Sequence, residues 1–165
     1  MKKFTENLNL GAFNRRAVCC LIPYAPMDVS ATRDVEDKIC LINVPMMVVS
    51  RKGAGDKERY GFVGGKVDPG ETDVEAVIRE VREEVGLTID PRCLAPVYVC
   101  MEETSQYIVT TYFYYGIYNP DDLKAEEGLK IESRVMKDMA SSNTSPFFIF
   151  NAGLLDQLVK WSHNT

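Results

Sequence analysis

Three glutamates stand close together near the middle of the sequence, at Glu80, Glu83 and Glu84. In a helix, residues three and four positions apart share a face, so these side chains would form one acidic surface. Carboxylate oxygens are the ligands that Mg²⁺ accepts from proteins, and a bound cation would offset the repulsion between them. The simpler alternative is a solvated acidic face neutralised by Arg79 and Arg82. The spacing alone does not decide between these two interpretations.

A helix from Asp73 to Val85 is predicted to carry these glutamates. Thr72 suits the N-cap, with Glu75 completing a capping box, and Gly86 suits the left-handed residue after the last turn. The apolar residues form one stripe at the helical period, namely Val74, Val77, Ile78, Val81 and Val85. We therefore expect the helix to pack by its valines and to present its carboxylates.

Gly64 and Gly65 lie shortly before this helix, where we expect the preceding strand, residues 60–63, to end. Glycine lets the backbone come close to a metal ion or a phosphate. A cation held by the carboxylates would activate water and neutralise charge on a transferred phosphoryl group. Such a phosphoanhydride hydrolysis needs neither histidine nor cysteine. This agrees with a sequence whose single histidine is His163 and whose five cysteines, in no CxxC pattern, are interpreted as structural thiols.

Further strands are predicted at residues 18–22, 39–49, 95–101 and 107–118, with a weaker one around 130–136 and a closing helix at about 152–162. Strands that bracket one helix and precede another indicate an α/β domain with helices packed on a mixed sheet. At 165 residues, the chain is expected to form a single domain, 1–165.

The formal net charge of -5 offers no general attraction to nucleic acid or to an anionic membrane. The longest apolar run, residues 39–49, is about half the length that a membrane-spanning helix needs. No apolar segment follows the lysines near the N-terminus as in a signal peptide, so we expect a cytosolic protein.

The pattern Gly65-x5-Glu71-x7-Arg79-Glu80-Val81-x-Glu83-Glu84-x-Gly86-Leu87 resembles the Nudix box without a departure. The resemblance implies a Nudix α/β/α sandwich, in which a mixed sheet carries a catalytic helix and a C-terminal helix. It also implies a hydrolase of nucleoside diphosphates linked to a further group X, dependent on Mg²⁺ or Mn²⁺. The implied partner is a nucleotide substrate, and the protein would be a monomer or a homodimer.

The same resemblance assigns roles to individual residues. The metal-binding glutamates of the family match three positions, Glu80, Glu83 and Glu84, and one of these would also orient or deprotonate water. Arg79 would pair with a box carboxylate, Glu71 would brace the loop and Gly65 would lend its carbonyl to the cation. The catalytic assignment is thus Glu83, Glu80 and Arg79.

Many family members recruit one more carboxylate from a loop roughly 40 residues downstream, which corresponds here to residues 124–128. The candidates from this loop are Glu127 and Glu126, with Glu102, Glu103 and Glu132 as competitors.

The segments that flank the box are most similar to MutT-type nucleoside triphosphate pyrophosphohydrolases. Val48-Val49-Ser50-Arg51 and the run of residues 60–66 resemble the entry to the box in those enzymes. This similarity predicts that Arg51 and Lys66 contact phosphates, although both also suit a solvated surface. Phe147-x3-Asn151 resembles a segment whose asparagine reads a purine edge, and Asn151 equally suits the N-cap of the closing helix.

The function predicted from these features is hydrolysis of a nucleoside triphosphate, with oxidised purine nucleotides among the candidates, to the monophosphate and pyrophosphate. Hydrolysis of ADP-ribose or of a dinucleoside polyphosphate is the alternative. A nucleotide-binding sensor without catalysis is a third interpretation, but such proteins generally lose glutamates of the box.

Overall fold

A mixed sheet of six strands forms the centre of the part of the molecule that the structure describes. The computed structural model describes residues 15–24, 44–52, 58–102 and 106–135. The strands are β1 (Arg16–Leu21), β2 (Met46–Lys52), β3 (Glu58–Lys66), β4 (Leu94–Glu102), β5 (Tyr107–Tyr114) and β6 (Lys130–Arg134). Their order across the sheet is β4-β5-β1-β3-β2-β6. Strands β1 and β5 run parallel, and every other neighbouring pair is antiparallel.

Strand β3 connects the two halves of this sheet. Its first part pairs with β2, up to Phe62 opposite Val48, and its second part pairs with β1. The expectation that the strand ends before Gly64 is therefore wrong. Gly64 and Gly65 pair with Cys19 and Val18 inside the ladder, because β1 supplies backbone partners as far as Lys66.

Helix α1 (Asp73–Val85) has the bounds that the sequence predicts. At its start, the backbone N–H of Glu75 donates to Thr72 Oγ1 over 3.2 Å. At its end, Gly86 adopts a left-handed φ of 77° and its N–H donates to the carbonyl of Arg82. Both ends thus satisfy backbone groups that have no partner within the helix.

Both faces of the sheet are buried. Helix α1 packs on one face, where Val63, Val77, Val81 and Val85 are almost completely inaccessible to solvent. On the opposite face, Cys19, Leu21, Met46 and Phe62 are equally buried. Burial on two faces is typical of a sheet between two layers. The predicted closing helix, residues 152–162, lies outside the described residues.

Strand β5 ends at Tyr114, four residues earlier than predicted, because the following chain makes contacts outside the ladder. The backbone N–H of Tyr115 donates to the carbonyl of Cys93, and the Tyr118 hydroxyl donates to the carbonyl of Pro23. Strand β6 ends at Arg134, within the predicted range. In the described ranges, no helix combines the length and apolar character needed to span a bilayer.

Candidate active site

Arg79 is the centre of a carboxylate network on α1, and all five of its N–H donors are used. Nε and Nη2 donate to the two oxygens of Glu71 over 2.8 and 2.9 Å. Nη1 donates to Glu80 Oε1 over 2.9 Å and to Glu83 Oε2 over 3.2 Å. Nη2 also donates to the carbonyl of Lys66 over 2.9 Å. One guanidinium therefore connects two helix glutamates, the preceding loop and the end of β3.

Glu71 ties this arginine to the loop before the helix. Its Oε1 accepts from the backbone N–H of Asp68 over 3.0 Å, while both oxygens bind Arg79. The hydrogen bond from Arg79 holds the pKa of Glu71 below its usual range, although partial burial opposes this. Glu71 is thus an ionised brace between the loop and the helix.

Glu80 packs directly against the backbone of β3. A Cβ atom at Gly65 would stand 2.5 Å from the carboxylate carbon of Glu80 and 2.8 Å from Oε2, closer than real Cβ contacts come. Glycine at position 65 therefore leaves the space that this carboxylate occupies. Partial burial raises the pKa of Glu80, and the hydrogen bond from Arg79 counteracts only part of the rise.

Glu83 is the most solvent-accessible of the three glutamates at positions 80, 83 and 84. Its side chain is 52% exposed, against 14% for Glu80, and its hydrogen bond to Arg79 is the longer of the two. Because its contact with Arg79 is longer and its side chain is more exposed, the Glu83 carboxylate can exchange its partner more easily than that of Glu80.

Glu84 does not lie on a solvated face, as the simpler interpretation of the spacing assumed. It is buried, and its Oε1 accepts from the backbone N–H of Gly64 over 2.7 Å. Its carbonyl accepts from the N–H of Glu126 over 2.9 Å. This glutamate is consequently bound to β3 through its side chain and to a distant loop through its main chain.

That distant loop contains the predicted additional carboxylates. It reaches the end of α1 through Glu126 and through the N–H of Lys124, which donates to the carbonyl of Val85. Glu126 and Glu127 themselves are exposed. The competitor Glu132 lies on β6, where it forms an ion pair with Arg134 over 3.3 Å. The side chain of Glu102 and the whole of Glu103 lie outside the described residues.

The predicted substrate-binding residues are placed less completely. Lys66 is exposed at the end of β3, and its Nζ lies 5.6 Å from the ring centroid of Tyr107. The backbone of Arg51 lies in β2 opposite Arg59, but its side chain is outside the described set. Asn151 also lies outside the described residues.

Several groups of the network were not identified from the sequence. The Gly64 N–H and the Lys66 carbonyl are backbone groups, and no residue type signals their use. Tyr107 has no role in the sequence analysis, although it faces Lys66 across the sheet. Only pairing of β3 with β1, and of β1 with β5, brings these residues together.

The donor chemistry of α1 suits a hard divalent cation, since consecutive turns of this helix supply three carboxylates. They lie next to Gly65 on β3, where the absence of a Cβ atom leaves space beside the backbone. Within the described residues, no three Asp, Glu, His or Cys side chains are grouped so that they could hold a metal ion as they stand. Each of the three carboxylates has another partner in the structure. Arg79 is the cation that Glu80 and Glu83 contact, and Glu84 binds the N–H of Gly64. The donor chemistry therefore fits a hard cation, although the arrangement described here does not by itself group three of these carboxylates around one point.

The family model for the NUDIX domain matches residues 33–133. With the helix, the glutamates and the mixed sheet in place, this match shows that the chain belongs to the Nudix family and is a Nudix hydrolase. The predicted family and sandwich-type fold are confirmed.

Solved structures support the same fold. A MutT from Aliivibrio salmonicida or Vibrio cholerae aligns with a TM-score of 0.56 at 15% identity, over 89% of this chain and 98% of that chain. The Escherichia coli ORF135 protein gives a TM-score of 0.64 at 19% identity, over 93% and 94%. A Caenorhabditis elegans Ap4A hydrolase gives 0.56 at 19% identity, over 91% and 96%. At such identities the likeness concerns the fold alone. No curated protein sequence matches the chain significantly.

Proposed function

We propose that the chain hydrolyses the α–β phosphoanhydride of a nucleoside triphosphate, with Mg²⁺ or Mn²⁺, to the nucleoside monophosphate and pyrophosphate. Oxidised purine triphosphates are included in this substrate class. The observation that carries the proposal is the hydrogen-bond network around Arg79. Arg79 binds the carboxylates of Glu80 and Glu83, and it also binds the carbonyl of Lys66 at the end of β3. Carboxylates for a cation thus lie on the α1 side at the end of β3, and the Lys66 side chain, which would contact phosphates, lies at the same end on the opposite face of the sheet.

Glu80, Glu83 and Glu84, with the Gly65 carbonyl and with Glu127 from the loop, would hold the cation. When bound, such a cation neutralises phosphate charge and polarises the attacking water. Glu83, the most exposed carboxylate, would orient or deprotonate that water. The water oxygen bonds to one phosphorus of the α–β anhydride as its proton passes to Glu83, and the bond from that phosphorus to the bridging oxygen breaks. The bridging oxygen keeps the electron pair, so nucleoside monophosphate and pyrophosphate are released.

Arg79 keeps the other groups of this site in place. Its two hydrogen bonds to Glu71 fix its position relative to the loop, so its Nη1 presents a stationary partner to Glu80 and Glu83. The buried hydrogen bond from Gly64 to Glu84 sets the distance between α1 and β3. Such prior alignment lowers the entropy that must be lost during the reaction.

Substrate binding is assigned to Lys66, Arg51 and Asn151. Lys66 and Arg51 would contact phosphates, and the Asn151 amide would read a purine edge, for which it has both a donor and an acceptor.

The deciding experiment is one screen of nucleotide substrates with and without millimolar Mg²⁺ or Mn²⁺. Pyrophosphate and nucleoside monophosphate in equal amounts, lost on chelation of the metal, would support the proposal. Inactivity toward all common and oxidised triphosphates would refute the substrate class. Release of AMP and ribose 5-phosphate would identify an ADP-ribose hydrolase instead, and nucleotide binding without turnover would identify a sensor.

A further inference from the structure

The ring of Tyr107 faces the ammonium group of Lys66 on the sheet face opposite to α1. Gly65 faces Glu80 of the helix, so the next residue, Lys66, points to the other face. Tyr107 packs there against the cluster that contains Ala17 and Val109. The Lys66 Nζ lies 5.6 Å from the ring centroid, a distance at which a cation is attracted to an aromatic face.

Strand β1 makes this contact possible, although Lys66 and Tyr107 lie on different strands. Lys66 pairs with Ala17 on β1, and Ala17 pairs with Val109 on β5. Ala17 is a small, buried residue, so the lysine stem can cross over it toward β5. The start of β5 is held beside β1 by the Ile108 N–H, which donates to the carbonyl of Arg15 over 2.9 Å.

Lys66 is bound at both ends. Its carbonyl accepts from Arg79 over 2.9 Å, which links its backbone to the carboxylate network. Its ammonium faces Tyr107. A free lysine side chain samples many rotamers, and each partner that restricts them lowers the entropy lost when a phosphate binds.

We propose that Tyr107 is a positioning residue, whose ring holds the Lys66 ammonium in place for the phosphates of the substrate. This inference rests on the proposed function, because it requires a substrate that carries phosphate groups. The ring acts through Lys66 and touches no reacting atom. Its loss therefore weakens binding of substrate and transition state equally, which raises KM and leaves kcat unchanged.

Steady-state kinetics of Tyr107→Leu with a nucleoside triphosphate test this role. The KM is expected to rise about two- to fivefold, the effect of one cation–π contact at an exposed site. Tyr107→Phe and Tyr107→Trp keep an aromatic face and are expected to keep the KM within about twofold of the wild-type value. Lys66→Met raises KM at least as much as Tyr107→Leu, and the double variant equals Lys66→Met alone.

Tyr98→Leu is the matched control for loss of packing, because Tyr98 is half-buried against the same cluster. This control is expected to lower the melting temperature without a change in KM. An unchanged KM in Tyr107→Leu would overturn the inference. So would independent, additive effects of Tyr107→Leu and Lys66→Met, since the ring would then act without the lysine.

Calorimetric titration with inorganic pyrophosphate and Ca²⁺ separates this inference from the proposed function. If the wild-type chain hydrolyses no triphosphate, the proposed function fails, but weaker pyrophosphate binding by Tyr107→Leu than by Tyr107→Phe still supports the role of Tyr107. Equal binding by the two variants, or no binding by the wild-type chain, overturns that role, whereas the proposed function is decided by triphosphate hydrolysis alone. If Tyr107→Leu does not fold, the test uses Tyr107→Trp, which keeps an aromatic face. Pyrophosphate binding as tight as that of the wild type supports the inference, and weaker pyrophosphate binding contradicts it.

Discussion

The carboxylate of Glu80 occupies the space in which any residue other than glycine at position 65 would place its Cβ atom. This contact joins α1 to β3 from one side, and Arg79 holds the same carboxylate from the other. The orientation of Glu80 thus depends on the absence of one methyl group in a neighbouring strand.

Gly65→Ala is expected to displace Glu80 and to reduce kcat/KM by about 10²-fold, since small misplacements of reacting groups have effects of this size. Because the atoms in the way are the flexible end of the Glu80 side chain, which can move aside, the free energy of unfolding should change by less than about 1 kcal/mol. Kinetics and denaturant unfolding measure the two effects. Gly70→Ala is the control: its φ of 79° is unfavourable for alanine, but its Cβ would meet nothing within 4 Å. This control should lose stability and keep activity. Equal losses of activity in both variants would contradict the role of the Gly65 contact.

Glu83→Gln and Glu84→Gln are expected to lower kcat by roughly 10²- to 10⁴-fold, the range for loss of one main electrostatic or acid–base group. The fold should persist, because the glutamine oxygen at position 84 can still accept from the Gly64 N–H. Enzyme assays with millimolar Mg²⁺, together with melting temperatures, provide the measurement. Glu75→Gln, exposed on the same helix, is the control. If that control lost as much activity at an unchanged melting temperature, the carboxylate face of α1 would not be the metal site.

Arg79→Lys is expected to reduce activity about 10- to 100-fold, as replacement of groups that orient metal ligands does. A lysine has three donors on one atom and cannot reproduce the planar fork that binds Glu71, Glu80 and Glu83 together. The stability loss should stay within about 1 kcal/mol, because the ion pairs are partly exposed. Arg82→Lys, exposed in the last turn of the same helix, should leave the kinetics unchanged. Wild-type turnover in Arg79→Lys would rule out the orienting role.

Cys19 and Cys20 are expected to resist alkylation in the folded protein. Both are buried, and burial raises the pKa of the Cys19 thiol to about 12 and that of Cys20 well above its ordinary value. At pH 8, a thiol of pKa about 12 is ionised to only about one part in 10⁴, against about a quarter for an ordinary thiol. Iodoacetamide labelling with peptide mapping should modify the half-buried Cys93 and Cys100 before Cys19 and Cys20. Native-state labelling of Cys19 as fast as Cys93 would contradict the prediction.

The same shift has a defined effect on stability. Because the folded chain keeps the Cys19 proton to higher pH, this thiol contributes fully to the free energy of unfolding below about pH 8.5. Its contribution is lost progressively as the pH rises from there toward 12, since only the unfolded chain releases the proton.

The sequence by itself was sufficient for helix α1 and for the family. The helix bounds, the Thr72 cap and the left-handed Gly86 depend on interactions between residues a few positions apart, so local patterns predict them. The Nudix box lies almost entirely in this helix and the loop before it. The spacing of its glutamates and its motif arginine, Arg79, could therefore be recognised directly in the sequence, and the family match agrees with them.

The tertiary structure alone decided how that helix meets the sheet. The hydrogen bond from Gly64 to Glu84 spans twenty positions, and the one from Arg79 to Lys66 spans thirteen. Both use backbone groups, which almost every residue possesses, so the residue type does not indicate which of these groups will be used. The contact of Lys66 with Tyr107 depends on parallel pairing of β1 with β5, which a one-dimensional pattern does not specify. Local periodicity thus predicted which residues face the same way on α1, whereas strand pairing determined which groups from the sheet they meet.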